Sequence, residues 1–117
     1  MAIFALGINH KTAPVALREQ VAFAPEQLPE ALRELTTLTS ISDAVILSTS
    51  NRTELYFNGT ATQAEQVIAW LAQFHALDGT ELQPHLYLHQ DNAAAEHLMQ
   101  VASGLDSLVS LSLMDSQ

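Results

Sequence analysis

The stretch Ser48-Thr49-Ser50-Asn51-Arg52-Thr53 concentrates side chains that can do chemistry. Hydroxyls, an amide and a guanidinium follow one another between two apolar runs, Ala44–Leu47 and Glu54–Phe57. A turn there would present them together at a sheet edge. Arg52 suits a carboxylate or a phosphate, because its planar fork makes two parallel hydrogen bonds. The same composition also fits a plain polar turn with one solvated arginine. His97 is a second centre, since an imidazole serves as a general base near neutral pH. A half-buried helix histidine is the alternative. His10 and Lys11 sit in a polar loop that could line a site. His85 and His89 flank a short apolar run, but a metal needs a third ligand in matched geometry, and none is evident. His75 reads as a helix-end residue near the negative end of the dipole.

Other chemistries are disfavoured. The chain has no cysteine, which removes disulfides, zinc–cysteine sites and thiol chemistry. Its four glycines, Gly7, Gly59, Gly79 and Gly104, stand singly, so there is no glycine-rich phosphate loop. A serine hydrolase built on Ser50 and His97 would lack the Gly-x-Ser-x-Gly elbow. Four Lys+Arg against thirteen Asp+Glu give a net charge of −9, which argues against non-specific nucleic-acid binding. No apolar run is long enough for a membrane span, and the apolar N-terminus lacks the basic flank of a signal peptide. A cytoplasmic setting is the default expectation.

The elements that position these residues follow from periodicity. With 117 residues, 48% of them hydrophobic, one packed domain is expected. Residues 3–9 form a first strand and Val15–Phe23 a short helix. Leu28, Ala31, Leu32 and Leu35 mark an amphipathic helix from Pro25 to about Thr39. Strands follow at Ala44–Leu47 and Glu54–Phe57, the second ending at Asn58-Gly59. Thr62 and Glu65 fit a capping box for a helix that turns Val67, Ile68, Leu71 and Phe74 inward. A strand at Leu86–Leu88 precedes a helix from Asn92 to Ser103. Asp91 is its expected N-cap and Gly104 its expected C-cap, with Ala95, Leu98, Met99 and Ala102 inward. The order is that of an α+β, ferredoxin-like βαββαβ antiparallel sheet with two helices on one face, plus a C-terminal helix.

Three stretches, in order, are Gly7-Ile-Asn-His-Lys-Thr-Ala-Pro-Val15, Leu47-Ser-Thr-Ser-Asn-Arg-Thr-Glu-Leu-Tyr56 and His97-Leu-Met-Gln-Val-Ala-Ser-Gly-Leu-Asp-Ser-Leu-Val109. Together they resemble the N-terminal catalytic domain of glutamyl-tRNA reductase. The resemblance covers residues 1–109 and leaves 110–117 as a non-matching tail. It implies NADPH-dependent reduction of glutamyl-tRNA to glutamate-1-semialdehyde, the entry to five-carbon tetrapyrrole synthesis. It implies a cysteine nucleophile at position 50 that takes the glutamyl group as a thioester. It places Thr49, Asn51, Arg52 and Ser107 on the substrate glutamate and His97 as an assisting base. Glutamyl-tRNA is the implied partner. The family's NADPH-binding and homodimerisation domains are expected to lie outside this stretch, so no cofactor is expected on this chain. Position 50 departs from the pattern. It is serine, whose hydroxyl stays protonated at neutral pH, whereas a thiol has a pKa of about 8.5. An oxygen ester is also a poorer hydride acceptor than a thioester. The chain as written is expected to be inactive as a reductase. The alternative is a non-catalytic binding or regulatory module of the same descent, docking a protein partner.

Overall fold

The computed structural model describes residues 2–104 and 110–114. A five-stranded antiparallel sheet in the order β4-β1-β3-β2-β5 forms its centre. The strands are β1 (Ala2–Asn9), β2 (Ala44–Ser48), β3 (Arg52–Gly59), β4 (Tyr87–Gln90) and β5 (Ser110–Met114). The first four take the ferredoxin-like order expected from the sequence. The fifth lies where a non-matching tail was expected: residues 110–114 pair with β2, Ser48 opposite Ser110. An edge strand left open by β2 is thereby covered.

Alternation along the strands divides the sheet into two unlike faces. Phe4, Leu6 and Ile8 of β1, Ala44 and Ile46 of β2, and Leu55 and Phe57 of β3 point to one side. There they meet α1 (Val15–Val21), α2 (Leu28–Thr39) and α3 (Ala61–Phe74), through Val21, Leu28, Leu32, Leu35, Val67 and Leu71. This is the main core. The other face is carried by Ala5 and Gly7 of β1 and Arg52, Glu54 and Tyr56 of β3. It is covered by α5 (Asn92–Gly104), whose Ala94 packs with Ala5 and Tyr56.

Helix termini refine the expected boundaries. Pro25–Gln27 form a separate 3-10 turn before α2. The capping box of α3 uses Thr60 and Gln63, two residues earlier than the expected Thr62 and Glu65. Thr60 Oγ1 accepts from Gln63 N at 3.1 Å, and Gln63 Oε1 accepts from Thr60 N at 2.9 Å. Gln63 Nε2 also donates to the Thr39 carbonyl at 3.1 Å, tying the start of α3 to the end of α2. A short helix, α4 (Gly79–Leu82), is capped by Asp78, whose carboxylate accepts from Thr80 N at 2.9 Å.

The phase of α5 is a correction. Ala95, Leu98, Met99 and Ala102 were expected inward, yet all four are exposed, Leu98 to 44% and Met99 to 71%. Ala94, His97 and Val101 face the sheet instead. The helix is turned by one residue, about 100°. The reason is the ground beneath it: Ala5 and Gly7 are small and stand beside buried Glu54, which favours a small residue and a hydrogen-bonding one over a row of large apolar side chains. Asp91, the expected side-chain cap, sits before α5 with its Oδ1 accepting from Ile3 N at 3.2 Å. Its φ of 55° lies in the left-handed region that aspartate tolerates.

Candidate functional site

Arg52, Glu54 and Tyr56 alternate along β3 on the α5 side of the sheet. Glu54 is the centre of that row and is fully buried. Burying a carboxylate without partners would be prohibitive, and four donors supply them. Tyr56 Oη donates to Oε1 at 2.7 Å. Arg52 NH1 donates to Oε2 at 3.2 Å. Tyr87 Oη and His97 Nε2 bond the same Oε2. The cluster draws on three elements: β3, the start of β4, and α5.

Gly7 makes the arrangement possible. It stands opposite Glu54 on one side and Tyr87 on the other. A Cβ there would fall 2.5 Å from the Thr53 carbonyl oxygen and 2.8 Å from Glu54 Cγ. With no side chain at position 7, the Tyr87 phenol reaches across β1 to the carboxylate. His89, two residues along β4, packs tilted against the His97 ring with centroids 4.6 Å apart, and Tyr87 lies 5.1 Å from it.

Electrostatics follow from the same contacts. Burial pushes the Glu54 carboxyl up. The hydrogen bonds from Tyr87, His97 and Tyr56, with the charge that His97 carries when protonated, outweigh that and hold it below the usual carboxylate range. Burial first, and then the bond to Glu54, push both Tyr56 and Tyr87 above the ordinary phenol range. The centre is thus an ionised acid surrounded by protonated donors.

The hydroxyl-rich stretch lies at the end of the sheet, in the turn joining the two adjacent strands β2 and β3, rather than at its edge. Its hydroxyls split into two groups: those of Ser48 and Thr53 meet in the interior at 3.4 Å, while Thr49 and Ser50 belong to the turn. Ser48 is buried, accepting from Phe23 N at 3.0 Å. Thr49 closes the turn: its N–H donates to the Arg52 carbonyl at 2.8 Å, and its Oγ1 accepts from Asn51 N and Arg52 N, each at 3.2 Å. Ser50 and Asn51 form the exposed tip. Arg52 opens β3 opposite Asn9. Asn9 Oδ1 accepts from Lys11 N at 2.9 Å and so folds the exposed His10-Lys11 loop at the same end of the sheet. The structure therefore brings Arg52 and His97 together through Glu54, with Thr49, Ser50 and Asn51 on the turn that leads into Arg52. Ser107 lies outside the described residues.

The remaining histidines are separate. His85, in a 3-10 turn, has its Nδ1 2.9 Å from the Thr12 carbonyl oxygen, whereas the His89 ring packs against His97, so they do not form a pair. No group of three or more His, Cys, Asp or Glu among the described residues is placed to hold a metal ion. His75 was expected as a helix-end residue near the negative end of the dipole. It does end α3, but it is half-buried against Phe23, with ring centroids 4.6 Å apart, and burial pushes it down to about 4. It is neutral at pH 7. Glu54, Tyr56 and Tyr87 were not among the expected site residues. The signal for them is the alternation Arg52, Glu54, Tyr56, together with a glycine inside a strand at position 7.

The sequence profile described as "Glutamyl-tRNAGlu reductase, N-terminal domain" matches residues 6–110. The chain belongs to this family. Glutamyl-tRNA reductases of Pseudomonas syringae pv. syringae and Pseudomonas aeruginosa are each 57% identical to it over 109 residues, 93% of this chain and 26% of theirs. Among solved structures, the glutamyl-tRNA reductase from Methanopyrus kandleri is 30% identical, with a TM-score of 0.67 over 91% of this chain and 23% of that one. The chain thus spans about a quarter of the length of these relatives. Its α+β fold is that of the family's N-terminal domain. No helix among the described residues is long and apolar enough to cross a membrane.

Proposed function

We propose that this chain recognises the glutamyl end of glutamyl-tRNA and holds it over the β2–β3 turn, beside position 50. The observation that supports this most directly is the state of Arg52. Its NH1 is anchored on buried Glu54, and its side chain keeps 17% exposure, so the guanidinium is oriented while other N–H donors stay open to a substrate carboxylate. Thr49 and Asn51 flank it, and Ser107 is a further substrate contact in the same reading. Position 50, at the tip, is where a nucleophile would meet the ester carbonyl.

In this reading a thiolate at position 50 attacks the carbonyl carbon. The bond to the terminal ribose oxygen of the tRNA breaks, that oxygen takes a proton, and a glutamyl thioester remains. His97 is the group that handles the proton. Ser50 lacks the thiolate, so the chain as written binds without forming the acyl-enzyme at a useful rate. Homologous reductases draw hydride from NADPH. The described residues do not fit a dinucleotide, because the sheet is antiparallel and no glycine-rich turn joins a strand to a helix. Hydride chemistry is therefore not assigned to them. A cytoplasmic setting, where charged tRNA is found, belongs to the same proposal.

The test is acid-quench trapping of radiolabelled glutamate from glutamyl-tRNA, on the chain as given and on Ser50→Cys. Label on the cysteine form alone is the expected result. Label on neither form would favour the second reading, a non-catalytic module that docks a protein, which draws support from Leu98 and Met99 standing exposed on α5 and from the acidic balance.

A further inference from the structure

We propose that Glu54 is a positioning residue that fixes the proton of His97 on Nε2, leaving Nδ1 as the basic nitrogen, while the same carboxylate oxygen orients Arg52.

The argument is one of donors and acceptors. An ionised carboxylate only accepts, and Glu54 is buried with no water-facing surface. Arg52 has no acceptor to offer. The Tyr56 phenol is spent on Oε1 and the Tyr87 phenol on Oε2. His97 Nε2 meets that same Oε2 and therefore donates to it. A neutral imidazole carries one N–H, so Nδ1 holds the lone pair.

The ring is also held in orientation. His89 lies tilted against it at 4.6 Å and Tyr87 at 5.1 Å. The room for this carboxylate comes from Gly7, where any Cβ would strike Glu54 Cγ. One oxygen, Oε2, thus joins the residue proposed to grip the substrate carboxylate to the residue proposed to move the proton. Its removal affects both. The catalytic consequence rests on the glutamyl-transfer reading above, whereas the tautomer does not.

The experiment is proton NMR on the full chain with 15N-labelled histidine. The expected result is a low-field imidazole N–H resonance that correlates with Nε2 of His97. It should vanish in Glu54→Ala and move upfield in Glu54→Gln, where a neutral oxygen of similar shape accepts. It should persist in Tyr87→Phe, which removes a neighbouring donor but leaves the acceptor. The Gln and Phe variants preserve side-chain volume, so the comparison does not depend on the Ala variant folding. Assignment of the proton to Nδ1, or a resonance indifferent to both Glu54 substitutions, would overturn the proposal. So would a resonance lost in Tyr87→Phe but kept in Glu54→Gln. In the Ser50→Cys background, Glu54→Gln should slow glutamyl loading by at least about tenfold. Loading at the parental rate would overturn the link to catalysis. If the Ser50→Cys parent itself takes no label, the glutamyl-transfer reading fails, and the NMR comparison still decides the role of Glu54.

Discussion

Glu54 shows how one buried charge constrains its neighbours. The carboxylate is stable inside the protein only because four donors face it, and their placement makes demands on three elements, β3, β4 and α5. A further demand, on β1, is the absence of a side chain at Gly7. Gly7→Ala would set a methyl 2.5 Å from a backbone oxygen of the neighbouring strand, which cannot rotate away. We expect it to destabilise the fold by about 1–3 kcal/mol in denaturant titration and to weaken the Glu54 cluster. A variant as stable as the parent would mean that β1 and β3 adjust with little cost. Ser50, by contrast, sits exposed at a turn tip, so Ser50→Cys should leave the unfolding midpoint unchanged within about 0.5 kcal/mol.

Among the elements, α3 and α5 carry separate lessons. The Thr60–Gln63 box satisfies orphan donors at the start of α3, and Thr60→Ala should cost about 1 kcal/mol. Thr62→Ala, at the position first expected to cap, should cost little, because Thr62 is exposed inside the helix. The rotated phase of α5 makes a paired prediction. Met99→Gln should be neutral within about 0.5 kcal/mol, and Val101→Ala should cost about 1–2 kcal/mol. The opposite order in thermal melts would restore the phase expected from the apolar pattern. That pattern misled for a physical reason. Periodicity reports which residues are apolar, whereas the face that packs is chosen by what lies beneath, and here that is Ala5, Gly7 and a carboxylate.

The molecule as a whole has two faces with different responses to acid. On the α1–α3 side, His75 is packed against Phe23 and Phe74, and its Nε2 finds no hydrogen-bond partner among the described residues. Unfolded, this histidine takes a proton near pH 6.5; folded, only near about 4. Between those values the unfolded chain binds more protons, so stability falls as the pH drops through the window, by on the order of 2–3 kcal/mol. His75→Phe should flatten that part of the stability–pH curve. On the α5 side, the lowered Glu54 carboxyl contributes stability above the ordinary carboxylate range and loses it as the pH falls through its folded value. Its loss therefore comes at more acid pH than the His75 effect. Urea titrations from pH 7 to pH 3 should show two separable declines, and only the upper one should disappear in His75→Phe.

Much of this was legible in the chain itself. The βαββαβ order follows from local periodicity and turn residues, which act within a few positions of one another. Arg52 and His97 are legible as chemistry-bearing types, and the three motifs identify the family. Tertiary structure decided what joins them. Arg52 and His97 stand 45 residues apart in the numbering, and only the pairing of β1 with both β3 and β4, with α5 laid over Gly7, brings them to one carboxylate. It also decided that Glu54 is an interior charge rather than a surface one, that His75 is neutral, and that residues 110–114 add a strand to β2. Each of these depends on which solvent or partner a side chain meets after packing. That is a property of contacts between distant segments, which residue type and spacing do not encode.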